Sequence, residues 1–239
     1  MFRRPYAGSE RTEGPRNLHR VTETVAVVAA GPGLGRSVAL RFAREGADIA
    51  LVARSADRLE PLAEELRALG VRVHPTAADV ADEVSLRAGF HDVRRELGDP
   101  SVLVYNGSEY VEGRPTTVGY DAFVHGLLVG VAGALVAVQE VAPAMRAAGR
   151  GTILLTGSEA AIKPSVGAAG LGVAKAGLRN LAYSTAAELG PDGVHVTTMT
   201  IRGILKAGTA FDPELVAEHY WRLHQQGRAE WEPEFVLSR

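Results

Sequence analysis

Cysteine is absent from all 239 residues. That excludes disulfides, thiolate catalysis and cysteine-bound metals, and it leaves the question of secretion open. An excess of charge of either sign is also missing. With 26 Lys and Arg against 28 Asp and Glu, a net charge of −2 and charged residues spread rather than blocked, the chain has no general field to attract nucleic acid, which is excluded as a partner. Long hydrophobic runs are lacking as well. The longest uncharged apolar stretch, Gly126 to Val138, is too short to span a bilayer and is rich in glycine and alanine, so it reads as a closely packed core helix and not as a membrane segment. Residues 1–20 hold five arginines and two prolines but almost no apolar side chains, and are expected to form a mobile tail. A transit peptide is the alternative, but Glu10, Glu13 and the missing apolar face speak against it, and a secretory signal would need a hydrophobic region, so a cytoplasmic location is expected.

What is present is a core-forming chain, 46% hydrophobic and long enough for one α/β domain over residues 21–239. Its most informative stretch runs from Val25 to Arg36. Consecutive apolar residues lead into Gly31, Gly33 and Gly35, and the helical pattern Val38, Leu40, Phe42, Ala43 follows at once. A buried strand, a tight turn and a helix start in that order form a phosphate cradle, because glycines admit a pyrophosphate close to the unpaired N–H groups of the new helix, at Leu34 and Gly35.

Further strands are expected at Asp48–Ala53, Val71–Thr76, Ser101–Tyr105, Gly151–Thr156, Val194–Ile201 and near Phe235–Leu237. Helices are expected between them: one to about Glu45, then Ala56–Leu69, one ending near Leu97, Tyr120–Ala148, Val166–Leu189 and Pro213–Gln226. Regular alternation with near-continuous hydrophobic strands predicts a doubly wound parallel sheet covered by helices on both faces. Ligands of such sheets bind outside the carboxyl ends of the strands, where Asp79, Asn106, Ser158 and Gly203 fall. The position closing the second strand, which meets the adenosine ribose of a dinucleotide, is Arg54. A guanidinium cannot accept from the ribose 2′-hydroxyl of NAD, but it can grip a 2′-phosphate in a bidentate contact, and Ser55 can add a donor. NADP is therefore expected in preference to NAD.

From about Val21 to Val194 the chain resembles the short-chain dehydrogenase/reductase family. The resemblance rests on the glycine turn, Asp79-Val80, Asn106-Gly107, the run Gly151 to Ser158, and Lys175 seventeen residues beyond Ser158. It implies a single-domain Rossmann sheet of seven strands, a nicotinamide cofactor and a homodimer or homotetramer built on two long helices. By the same resemblance Asp79 and Val80 would meet adenine, Asn106 and Gly107 would sit by the cofactor, Lys175 would hold the nicotinamide ribose, and Ser158 would orient the substrate oxygen.

Four positions depart from the family pattern. Ala29 replaces the first glycine of the turn, which is tolerable if its φ stays negative. Leu171 stands four residues before Lys175, where the family has its catalytic tyrosine; Gly130 replaces the helix asparagine of the proton relay; and Arg202 replaces the proline of the usual Pro-Gly loop. Leucine cannot exchange a proton, so a substitute acid is sought among Glu159, Lys163, Tyr110 and Tyr105.

The reading that follows is an NADP-dependent oxidoreductase acting on a small organic carbonyl or alcohol, or an activated double bond. The alternative keeps the fold and drops the hydride: a lyase, isomerase, cyclase or cofactor-binding partner. No metal is expected, since His219 and His224 are five apart, not four, and with Glu218 belong to a helix of mixed surface. Asn106-Gly107-Ser108 matches a glycosylation acceptor but ends a buried strand. The aromatic run Tyr220 to Gln226, with Trp231, fits ordinary packing or a substrate mouth, and the small residues of Val166–Ala176 fit close helix packing, within the core or across a dimer.

Overall fold

The computed structural model describes residues 22–238, so the tail expected over residues 1–20 lies outside the described residues. Seven parallel strands form one sheet: β1 (Thr24–Val28), β2 (Asp48–Ala53), β3 (Val73–Ala77), β4 (Val102–Tyr105), β5 (Gly151–Ser158), β6 (Val194–Ile201) and β7 (Glu234–Leu237). Their order is β3-β2-β1-β4-β5-β6-β7, so the order reverses at β1, between β2 and β4. The helices are α1 (Leu34–Ala43), α2 (Glu60–Arg67), α3 (Glu83–Leu97), α4 (Tyr120–Leu127), α5 (Gly133–Ala148), α6 (Ala169–Leu189) and α7 (Pro213–His224).

Strand residues alternate between two cores, as the period of two requires. Val25, Val27, Ile49 and Leu51 face α1, α2 and α7, where Val38, Phe42, Leu66 and Tyr220 are buried. Ala26, Val28, Leu103 and Ile153 face α3, α5 and α6, where Phe90, Val141 and Leu178 are buried. β3 carries Pro75, which has no N–H to give to a ladder; the sheet order places that strand at the edge, where proline is tolerated.

Several expected boundaries move; β3, for example, runs Val73–Ala77 and not Val71–Thr76. The helix expected from Ala56 is confined to Glu60–Arg67, with Pro61 in its first turn, where a missing N–H costs nothing. The helix expected from Val166 begins at Ala169, because Ala168 bridges to Gly113. Ser158 is the last residue of β5, not past its end, since β5 stays paired with β6 through Ser158 and Ile201. The single helix expected over Tyr120–Ala148 is continuous but contains a π turn at Leu128–Ala132. By length and composition that stretch could cross a membrane, with a mean hydropathy of 1.9 over its most apolar window. In the fold it is a core helix, with Ala134, Val138, Val141 and Met145 buried against the sheet and its covering helices.

Candidate active site

A cleft of about 730 Å³ opens at the carboxyl ends of the central strands, at the reversal of strand order. One wall is the turn from β1 into α1. The N-terminus of α1 has Gly33 as its cap, no side chain bonded to its N–H groups and no acidic residue in its first turn, so its positive end is open to an anion. A Cβ on Gly31 or Gly33 would meet nothing within 4 Å, so the open space beside both belongs to the cleft. Gly35 serves packing instead, since a Cβ there would lie 3.1 Å from Ala30 Cα. Ala29 has φ +57°, the one non-glycine residue of positive φ among those described, so the expectation of a negative φ there is wrong. The backbone needs the left-handed geometry at the position where the family has glycine, and alanine adopts it under strain.

Arg54 follows β2, lines the cleft and makes no ion pair among the described residues. Ser55, next to it, is not part of the lining. Asp79 and Val80 line the cleft beyond β3; Asp79 Oδ1 accepts from Ala81 N at 2.9 Å, and Asp79 N donates to Ser85 Oγ at 3.0 Å, which fixes the turn. Asn106, Ser158, Lys175 and Gly203 also line it, so strands β1 to β6 all deliver residues to one space. Gly107 does not. It is buried behind Asn106, where a Cβ would strike the Tyr105 ring at 2.6 Å, and its carbonyl faces Lys175.

Lys175 is buried, and its ammonium donates to Thr156 O at 2.7 Å and Gly107 O at 3.4 Å. With no carboxylate bonded to it, burial pulls its pKa down to about 8. Ser158 Oγ accepts from Ala160 N at 3.3 Å, capping the short turn Glu159–Ala161. Leu171 lines the cleft one turn before Lys175. Gly130 does not; it lies in the π turn, where a Cβ would be 2.9 Å from Ala174 Cβ on α6. Small residues of α6 thus serve close packing within the chain.

None of the four substitute acids reaches the cleft lining. Tyr105 is fully buried, its hydroxyl donates to Val129 O at 2.5 Å, and burial pushes its pKa up. Tyr110 is 68% exposed, and Glu159 and Lys163 lie in the turn beyond Ser158. Two ionisable residues that the motifs did not single out do line it. His125 on α4 and Glu109 beyond β4 are joined through Nδ1 and Oε2 at 2.5 Å. One sequence signal points to them: His125 is the only ionisable residue between Ala122 and Val138.

The remaining candidates are engaged elsewhere. Glu218 pairs with Arg41 at 2.7 Å, His219 packs on the Phe235 ring, and His224 bonds Thr152 and Glu23. Trp221 meets Phe42 edge-on at 5.3 Å and Trp231 stacks on His195 at 5.0 Å, so the aromatic run packs α7 against α1 and does not line the cleft.

Residues 23–212 match the family described as short chain dehydrogenase. The 3-oxoacyl-(acyl-carrier-protein) reductase FabG of Staphylococcus aureus is 30% identical over 184 residues, covering 75% of this chain and 74% of that protein. A 12alpha-hydroxysteroid dehydrogenase of Clostridium sp. is 28% identical, over 73% of this chain and 71% of that protein. Among solved structures, a short-chain dehydrogenase from Rhodopseudomonas palustris superposes with a TM-score of 0.82 at 29% identity, covering 91% of this chain and 98% of that one. A metagenomic short-chain oxidoreductase in complex with NADP does so with 0.82 at 25% identity, covering 90% and 96%. Fold, cleft and sequence therefore agree, and the chain belongs to the short-chain dehydrogenase family as one of its oxidoreductases.

Proposed function

We propose that this protein is an NADPH-dependent reductase of a small organic carbonyl compound, able to run in reverse on the alcohol. The observation that carries the reading is Arg54, an exposed guanidinium without an ion-pair partner among the described residues, at the end of β2 in the same cleft as the open N-terminus of α1. Cations and open N–H groups at those two places suit the 2′-phosphate and the diphosphate of NADPH. The NADP bound to the metagenomic relative supports the same choice.

The N–H groups of Gly33, Leu34 and Gly35 would hold the diphosphate, with Gly31 leaving room for it, and Arg54 with Ser55 would take the 2′-phosphate. Asp79 and Val80 would frame adenine. Asn106 and Lys175 would fix the ribose next to the nicotinamide, with Gly107 O and Thr156 O holding the Lys175 ammonium in place, and Gly203 would border that end. Ser158 would donate its hydroxyl hydrogen to the substrate oxygen. A reduced nicotinamide, when bound, supplies the hydride. Val129, Leu171, Ile204 and Leu205 give the same end an apolar lining, which suits a substrate with an apolar body beside its carbonyl. The reading includes a cytoplasmic homodimer or homotetramer.

The test is a calorimetric titration of NADPH and NADH into the full chain and into Arg54→Asp. NADPH is expected to bind at micromolar concentration or below and at least tenfold more tightly than NADH, about 1.4 kcal/mol. Arg54→Asp is expected to abolish that preference while leaving NADH nearly unchanged. Equal losses for both cofactors would show that Arg54 does not read the 2′-phosphate, and binding of neither would remove the reading as a whole.

A further inference from the structure

Carbonyl reduction needs a proton as well as a hydride, and the usual donor is missing. Leu171 occupies the wall one turn before Lys175 and has no proton to exchange. The hydroxyls of Tyr105 and Tyr220 are buried and bonded to Val129 O and Thr156 Oγ1. Lys175 already donates to two carbonyls, and the Ser158 hydroxyl is too weak an acid to act alone.

Glu109 and His125 supply what that wall lacks. The carboxylate accepts from Nδ1 at 2.5 Å, which fixes the ring's orientation and leaves Nε2 without a hydrogen bond among the described residues. Both side chains line the cleft and remain partly open to water, at 45% and 40% exposure for His125 and Glu109. Their position follows from close helix packing: a Cβ on Gly170 would lie 3.3 Å from Val111 and 3.7 Å from Phe123, so the start of α6 is pressed against α4. His125 on α4 and Leu171 on α6 both line the cleft. The other charged residues of the lining are Arg54, Asp79 and Lys175, none of them bonded to His125. On its own helix Asp121 lies one turn before it, exposed. From α6 the charged residue in the lining is Lys175.

We propose that His125, held by Glu109, is the acid–base residue of this site, working from α4 in place of a tyrosine on α6. The inference rests on the reading of the cleft as a carbonyl-reducing site. As the carbonyl carbon gains a hydride from the reduced nicotinamide, the C=O π pair moves onto oxygen, and oxygen takes the Nε2 proton of the imidazolium. An alcohol, the oxidised nicotinamide and neutral His125 result, and the exposed ring regains its proton from water. Glu109 is a positioning residue that holds the His125 ring in one orientation through Nδ1.

The experiment uses the full chain with NADPH and 1-phenyl-1,2-propanedione, an apolar diketone, as the probe. His125→Asn is expected to lower kcat about 100-fold or more, with NADPH affinity by calorimetry unchanged and part of the rate restored by added imidazole. Glu109→Gln is expected to lower kcat by less than His125→Asn does, with KM and NADPH affinity unchanged, because the ring stays in the cleft but loses the carboxylate that orients it. A second readout needs no turnover. In NMR spectra of the histidine ring carbons, NADP⁺ should shift the His125 signal, and Glu109→Gln should shift it too, because the ring loses the partner on Nδ1. Full diketone activity in His125→Asn overturns the inference and leaves the carbonyl-reducing reading intact. Failure of the wild type to bind NADPH overturns both. If NADPH binds but the diketone is not reduced, the NMR decides: a His125 signal indifferent to NADP⁺ and to Glu109→Gln overturns the proposal, and the expected shifts support it.

Discussion

Ala29 holds a backbone conformation that L side chains adopt at a cost of roughly 1 kcal/mol. The turn around it cannot relax without moving the N-terminus of α1, so the strain is kept. Ala29→Gly should therefore raise stability by up to about 1 kcal/mol in a urea titration, partly offset by the extra freedom glycine gains when unfolded; a loss of stability would show that the alanine methyl packs favourably there. At this scale the sequence spoke clearly wherever a residue's role follows from its place beside a strand end. Arg54, Asp79 and Asn106 are of that kind, Lys175 was legible by its spacing from Ser158, and all four line the cleft. On Ala29 the sequence marked the missing glycine but the expected negative φ was wrong, because the φ is imposed by the turn as a whole. It was nearly silent on Glu109 and His125, because a pair 16 residues apart on a loop and a helix meets only through tertiary packing. Tyr105 misled, since position at a strand end says nothing about a hydroxyl already donated inward.

Among the elements, the π turn at Leu128–Ala132 was invisible to hydrophobic periodicity, which reports which face is apolar but not which carbonyl is taken by which donor. Tyr105 takes the carbonyl of Val129, and the bare Cα of Gly133 makes room, since a Cβ there would stand 2.5 Å from the Tyr105 hydroxyl and 2.4 Å from Val80 O. Strand, turn and helix lock one another. Gly130 belongs to the same arrangement, pressed on Ala174 of α6, so the family's asparagine cannot simply be put back. Gly130→Asn is expected to cost about 1–3 kcal/mol by overpacking, read from a denaturant midpoint, and to leave activity unimproved. A variant of unchanged stability would mean that the two helices can separate at little cost.

Across the molecule, the sheet's last strand is secured by charge. Glu234 on β7 accepts two bonds from Arg179 of α6, at 2.9 and 2.6 Å, one from Thr200 at 2.6 Å and one from Tyr183 at 2.9 Å. These bonds, led by Arg179, hold its pKa at about 2 against an ordinary 4.5. A carboxylate whose pKa is lowered by folding contributes stability that is complete above about pH 4.5 and is lost as pH falls toward 2. Glu234→Gln should cost about 2 kcal/mol at pH 7, with the gap to wild type narrowing between pH 4 and pH 2 in urea unfolding curves; a gap independent of pH would assign the cost to shape alone. The parallel sheet with helices on both faces was the most legible property of the chain, because alternating apolar strands and amphipathic helices repeat over its whole length and each local signal agrees with the next.

The packing of α7 on α1 also sets an order of events during synthesis. Phe42 is buried by Trp221, and Arg41 pairs with Glu218, so the helix that begins at the glycine turn is covered by residues made about 180 positions later. The central strand β1 likewise waits for β4 before its second edge is paired. A chain still on the ribosome therefore carries the bare apolar face of α1 long after β1 has found both of its strand partners, until α7 emerges, and late closure of that face is a step at which chaperones can act.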